Sequence, residues 1–388
     1  MLPVPTPDAL AHSQRVAAHL RALIDAAGGW ISFAQFMEAA LYAPGLGYYA
    51  AGAMKFGAAG DFVTAPEMTP LFGRTLAHAI APVLAELSVG NTPGGEVLEL
   101  GAGSGRLAVD VLGELARLDA LPARYCILDV SADLRARQQD TLARELPQLA
   151  ERVHWLDALP AHFSGVILGN EVLDALPTEL VHWTADGPLS RGVIVEGDAF
   201  AWQDRPIGDP LLRARADALS LAPGYLSEIN LAADALTASL AQIMDRGLIL
   251  MIDYGFPANE YYHPQRHMGT LRAHYRHHAL DDPFYLPGLC DLTAHVDFSA
   301  VARAGLAAGL ALAGYTSQAS FLLNSGLTEL LMQTPPTDAA AYLPQANAVQ
   351  RLVSPAEMGE LFKVIGFVKG GIAPLAGFAR GDRRHSLL

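Results

Sequence analysis

The stretch EVLELGAGSGRLAVDVL, from Glu96 to Leu112, constrains this chain more than any other. An apolar run ends in three alternating glycines, Gly101, Gly103 and Gly105, and a helical pattern begins at once. A strand that turns on glycine into a helix sets backbone N–H groups at the helix's positive end, where a ligand can sit. Glycine there permits positive φ and lets a ligand approach the backbone closely. Units of this kind belong to α/β sheets whose ligand crevice opens beyond the carboxyl ends of the strands.

The pattern around it agrees. YCILDV, RVHWL, GVILGNE and GLILMIDYG read as further strands, and 104–118, 131–146 and 231–244 as helices. The apolar runs do not alternate, which suits a parallel sheet covered on both faces. Between 179 and 203 short antiparallel strands are expected, with turns at ADGP and EGD. LFKVIGFVKG, 361–370, offers a late strand, and GLAAGLALAGY reads as a buried helix end. Helical spacing also fills 9–42, with Ser32 placed to cap a second helix. The glycine- and aromatic-rich segment that follows reads as an ordered, packed loop. FLLNSGLTELLM suits the core better than a dimer face.

The glycines choose among ligands. Dinucleotides favour G-x-G-x-x-G, but Arg106 stands where the third glycine belongs. Glu99 lies two residues before Gly101, on a strand face directed at the pocket. A carboxylate there repels a pyrophosphate and attracts an ammonium or sulfonium. The arrangement favours S-adenosylmethionine (SAM). Asp129, at the end of the next strand, is placed to accept the ribose hydroxyls, which NAD and SAM share. Asp157, in WLDAL, is expected to meet the adenine amino group.

Asn170, Glu171 and Asp174 cluster past the fourth strand. Polar groups at the mouth of a buried strand must be satisfied or functional. Pro177 stops any helix early, so Glu171 and Asp174 share one face of a short turn. His295 in LTAHVDF is a candidate proton acceptor. Five histidines fall within 263–278, yet no HExxH or Cys/His pairing appears, and no metal is expected. RAHYRHH is expected to form a polar, partly cationic wall of the cleft.

Composition excludes other classes. The chain has 388 residues, 51% hydrophobic and 17% charged, so a large core is possible. Its net charge of −14 argues against a nucleic-acid partner. Two cysteines, Cys126 and Cys290, fit a reducing compartment. No secretory signal and no apolar stretch of about 20 residues is evident, so a soluble cytoplasmic protein without a membrane span is expected.

The segments GDFVTAPEMTPLFG, VLELGAGSGRLA, YCILDVSADLR, GVILGNEVLDALPTELV, LILMIDYG, MGTLRAHYRHHALDDPFYLPGLCDLTAHVDF and SQASFLLNSGL together resemble the MidA-like family. Its eukaryotic member is a mitochondrial complex I assembly factor that acts as a protein arginine methyltransferase. The resemblance runs from about residue 12 to about residue 370. It implies a Rossmann-like class I methyltransferase core, a mostly parallel twisted sheet with helices on both faces. It further implies an N-terminal helical and loop cover over 1–90, a SAM-binding core over 91–260 with an insertion at about 179–245, and a substrate-cleft segment over 261–388 that completes the core.

By the same resemblance Gly101, Gly103 and Gly105 form the SAM loop, and Asp129 takes the ribose position where many relatives carry glutamate. Asn170, Glu171 and Asp174 match the post-strand motif, and Thr64 and Pro66 fall in a loop that closes over SAM. The implied acceptor is arginine in a protein, with a respiratory-complex subunit as a candidate target and a homodimer as a candidate assembly. Rival expectations are a methyltransferase acting on a small acceptor, a SAM-binding assembly chaperone without essential catalysis, and an NAD-dependent oxidoreductase.

Overall fold

The structure, a computed structural model, describes residues 2–51, 64–88 and 94–388. Part of the expected glycine-rich loop, residues 52–63, lies outside them.

Seven strands form the central sheet: β1 (Glu96–Leu100), β2 (Tyr125–Leu128), β3 (Val153–Leu156), β4 (Phe163–Asn170), β5 (Met244–Phe256), β6 (Ala311–Ser317) and β7 (Phe362–Lys369). Their order across the sheet is β3-β2-β1-β4-β5-β7-β6. All pairings from β3 to β5 are parallel, and β7 runs antiparallel to both β5 and β6. Two-residue strand Val296–Asp297 pairs in parallel with Gly255 and Phe256 at the carboxyl end of β5. The chain winds outward from β1 to β3, then crosses back to β4 on β1's other side. The crevice between the carboxyl ends of β1 and β4 is therefore the topological switch point, where such sheets bind ligands.

Burial explains why these runs are strands. Val97, Leu98, Val166, Ile167, Leu248 and Leu250 are buried, and their neighbours are divided between two cores, one on each face. Helix Arg106–Arg117 buries Leu107, Val111 and Leu115 on one face, and Pro70–Leu87 packs beside it. GLAAGLALAGY does not end as a helix. Helix Phe298–Ala307 stops before Gly309, which sits at φ +87, and Ala311 onward becomes β6. Alanine's helix propensity loses here to pairing with β7. Phe321, Leu322, Leu327 and Leu330 of FLLNSGLTELLM are buried in one of the two cores.

A second sheet is antiparallel, with Gly187–Glu196 between Ile31–Ser32 and Glu179–Thr184, then Tyr225–Ile229; Ala199–Pro206 also pairs with Gly187–Glu196. A small third sheet joins Arg272–Tyr275 to His278–Leu280 and Asp291–Thr293. Helices Pro7–Ala26 and Phe33–Tyr42 share a core with both, through Leu20, Phe33, Phe36, Leu180, Val193, Ala273 and Leu292. Ser32 caps the second helix in a capping box with Gln35. This packing carries the end of that helix, Tyr42, and the turn at Tyr49 to the rim of the switch-point crevice. Among the described residues no helix is long and apolar enough to cross a membrane.

Candidate active site

The crevice is a cleft of about 800 Å³. One wall is the turn after β1. Gly101, Gly103 and Gly105 have φ of +61, +54 and +82, a left-handed path that favours glycine. A Cβ on Gly105 would lie 3.1 Å from the Gln138 Cα, so glycine also lets helix Ala132–Glu145 close in. Helix Arg106–Arg117 starts here on Gly105, which has no side chain to cap it, and Ser104 Oγ accepts the Arg106 N–H at 3.3 Å. Arg106 turns aside and pairs with Asp110 and Glu145.

Acceptors complete this wall. Glu99 is buried, and its Oε2 accepts the Tyr125 hydroxyl at 2.7 Å. Burial pushes its pKa up to about 7, against the Tyr125 hydrogen bond, and the nearby Asp129 adds to the rise. Asp129 accepts from the Ser131 N–H (2.9 Å) and from Gln138 Nε2 (2.8 Å). Gln138 is fully buried and also donates to the Gly103 carbonyl (3.1 Å), while its Oε1 accepts from Trp155 Nε1 (2.8 Å). One side chain thus ties the glycine turn, β2 and β3 together. Sequence reading passed over it because it sits in a charged, amphipathic helix.

The opposite wall is assembled from distant segments. Glu171 leaves β4 with φ +53, unusual for a non-glycine residue. Asn170 Nδ2 donates to Glu171 Oε1 at 3.0 Å, and the Ala65 N–H also bonds this carboxylate. Burial first, and then the charge of Asp174, push its pKa up to about 8. Asp174 accepts a hydrogen bond from the Tyr254 hydroxyl on Oδ2, and the Ala175 N–H also faces this carboxylate; its buried Oδ1 has no side-chain partner among the described residues. Burial raises its pKa to about 6. Asp291 is buried and accepts the Tyr49 hydroxyl on both oxygens, each at 2.9 Å. Tyr42 stacks on Tyr49 with ring centroids 5.5 Å apart, and its hydroxyl donates to the Ala175 carbonyl. Asp291 and these tyrosines carried no local sequence signal, since their meeting spans 242 residues.

Most residues expected from the sequence meet in this cleft: Glu99, Gly101, Gly103, Asp129, Asn170, Glu171, Asp174, His295, Thr64 and Pro66 all line it. Gly105 supports the turn from beneath. Arg272 and His274 of RAHYRHH line the rim, whereas His277 and His278 are exposed. Asp157 corrects the expectation placed on it. It does not line the cleft; its carboxylate points into solvent and pairs with Arg135 at 2.6 Å. Arg135 is drawn there because it also donates to the Leu156 and Asp129 carbonyls.

SAM presents an ammonium, a sulfonium and ribose hydroxyls, and the lining fits them. Among the described residues, the buried Oδ1 of Asn170 has no partner, and Glu99 and Asp129 offer carboxylates to a cationic, hydroxyl-bearing ligand.

Comparison with known proteins decides the family. Residues 75–316 match a family model described as "Putative S-adenosyl-L-methionine-dependent methyltransferase". The chain belongs to this family. A crystal structure from Burkholderia thailandensis, bound to S-adenosyl-homocysteine, is 52% identical with a TM-score of 0.95 over 100% of both chains. The mitochondrial protein arginine methyltransferase NDUFAF7 of Danio rerio is 28% identical over 94% of this chain and 92% of its own length. That of Mus musculus is 30% identical over 86% of this chain and 80% of its own. The protein is a SAM-dependent methyltransferase with the Rossmann-like class I fold. One expectation falls with these names: the relatives from zebrafish and mouse are mitochondrial, so the cytoplasmic placement read from the sequence is withdrawn.

Proposed function

We propose that this methyltransferase acts on an arginine side chain of a protein. The carrying observation is the Asp174 Oδ1, free of a side-chain partner, beside Glu171 and Asp291, in a tyrosine-lined cleft that also holds the glycine turn. A guanidinium stays protonated up to a pKa above about 12, so a carboxylate grip is what makes it a usable acceptor. The names of the curated relatives support the same acceptor. A respiratory-complex subunit as target rests on the family resemblance.

When bound, SAM supplies an electrophilic methyl group. On its side, we assign the turn of Gly101, Gly103 and Gly105 to the cradle, Asp129 to the ribose, and Glu99 with Asn170 to the cationic end. Thr64 and Pro66 cover the site. On the acceptor side, Glu171 and Asp174 take two N–H groups of the guanidinium, which fixes its plane and raises electron density on the attacking nitrogen. The departing proton goes to one of these carboxylates. Their raised pKa values suit a proton carrier near neutral pH. His295 does not suit that role. Burial, then Arg266, Arg272, Lys363 and His274 nearby, push its pKa down to about 4.

The test is to incubate the purified protein with methyl-labelled SAM and cell lysate, then hydrolyse the labelled bands and search for methylarginine. Label confined to small molecules would overturn the arginine reading.

A further inference from the structure

We infer that Asp253, which lines no part of the cleft, is the positioning residue that displays Glu171 and Asp174 to the acceptor. The inference rests on the acceptor-side roles given above. It is carried by the way one buried carboxylate closes the end of β4.

Asn170 pairs with Ile252 in the last rung between β4 and β5, and the Glu171 N–H completes the ladder on the Ile252 carbonyl at 2.9 Å. The chain then turns at Glu171 through its positive φ. The next three N–H groups have no strand to pair with. All three converge on Asp253 Oδ2, from Val172 (3.2 Å), Leu173 (2.8 Å) and Asp174 (3.2 Å). Asp253 Oδ1 accepts from the Tyr254 N–H at 2.9 Å. Buried N–H groups without an acceptor are costly, so this carboxylate stabilises a turn that would otherwise not hold. The turn in turn fixes where Glu171 and Asp174 point. Tyr254, the next residue on β5, holds Asp174 from the other side.

Asp253 is also linked electrostatically to the two carboxyl groups it positions. Four N–H donors face it and favour the anion, while burial first, and then the charges of Asp174 and Glu171, push its pKa well above the usual carboxylate range. The titratable groups around it are Glu171 and Asp174 on the turn, Tyr254 on its own strand and His295 across the cleft. Lys363, opposite on β7, turns its ammonium to the Glu360 carbonyl instead. Each ionisation among these three neighbouring carboxyl groups opposes the others, so removing one acid lowers the pH at which the remaining two ionise.

The experiment is Asp253→Asn, with kinetics and S-adenosyl-homocysteine binding measured across pH. The amide keeps one oxygen but sets an NH2 against a backbone N–H. Turnover should fall about 100-fold, the size expected for a misplaced reacting group. S-adenosyl-homocysteine affinity should stay within about threefold. The acid limb of kcat/KM should move to lower pH, which a merely structural loss would not do. Turnover within about threefold of the parent, or an acid limb that stays in place, would overturn the inference. If the variant does not fold, 13C NMR of labelled aspartate in the unaltered protein decides. The Asp253 carboxyl signal should shift as Glu171 and Asp174 titrate, and a signal that does not respond to them, or Val172, Leu173 and Asp174 amides that exchange as fast as an open loop, would overturn the inference. Failure of the arginine reading shows separately, as wild-type label in another acceptor, for which the same kinetic comparison holds.

Discussion

The two walls of the cleft are built by different means. The cofactor wall is one local unit: a strand, a glycine turn and a helix within Glu96–Arg117, backed by β2 and Gln138. Its recognition groups are the backbone of that turn with the Glu99 and Asp129 carboxylates, all within Glu96–Asp129. The acceptor wall draws on Tyr42 and Tyr49 from the N-terminal helices and the following turn, Glu171 and Asp174 after β4, Tyr254 on β5, Asp291 on the third sheet and His295 just after it. Its recognition groups are side chains, and four of them are carboxylates and tyrosine hydroxyls bonded in two pairs across the fold. A shared cofactor can be held by a conserved kind of turn, while acceptor choice is set by long-range packing.

If the walls are separable, damage to one should spare the other. The largest effect is expected for Glu171→Ala: turnover lower by about a thousandfold, with S-adenosyl-homocysteine affinity within about threefold by calorimetry. Equal loss of both would merge the walls. Next is Gln138→Ala, which leaves the Trp155 N–H and the Gly103 carbonyl without their partner, at a cost of about 2–3 kcal/mol. S-adenosyl-homocysteine should bind about 30-fold more weakly, a shift of about 2 kcal/mol, and KM for the protein substrate should hold. Asp291→Asn sharpens the acceptor side alone, with KM for an arginine substrate up about tenfold and cofactor affinity unchanged.

A smaller effect concerns stability. The Glu171 pKa rises from 4.5 unfolded to about 8 folded. Its neutral form therefore favours the fold fully below pH 4.5, and that contribution is lost as pH rises through about 8. Without ligand, the Glu171→Gln variant should match the parent's Tm near pH 4 and exceed it by a few degrees near pH 9. Equal Tm values at both ends would mean that Glu171 is not held in a low-dielectric wall.

The same division governs what the sequence could reveal. The strand–turn–helix of Glu96–Arg117 was legible because its cause is local: unbroken apolar residues, then glycines, then a 3.6-residue period. Glu171 and Asp174 were legible because polar residues after a buried strand need a reason. Strand β6 was not, because alanine and leucine favour helix in isolation and only pairing with β7 makes them a strand. Asp291, Tyr49 and Asp253 were invisible in their roles for the same reason. An aspartate in an apolar run does not announce which turn, 79 to 81 residues away, it will close.

Asp157 gives the sharpest small prediction, because the sequence placed it on the cofactor wall and the structure does not. It follows β3, the position from which an acidic side chain reaches an adenine. Its carboxylate instead pairs with Arg135 in solvent. Exposed ion pairs contribute about 0–1 kcal/mol, and Arg135 keeps its bonds to the Leu156 and Asp129 carbonyls without it. Asp157→Ala should therefore change S-adenosyl-homocysteine affinity by less than about twofold and leave turnover alone. A tenfold loss, measured by calorimetry beside Asp129→Ala, would mean that the side chain swings in when the cofactor arrives, and that the cofactor wall is less local than its glycine turn suggests.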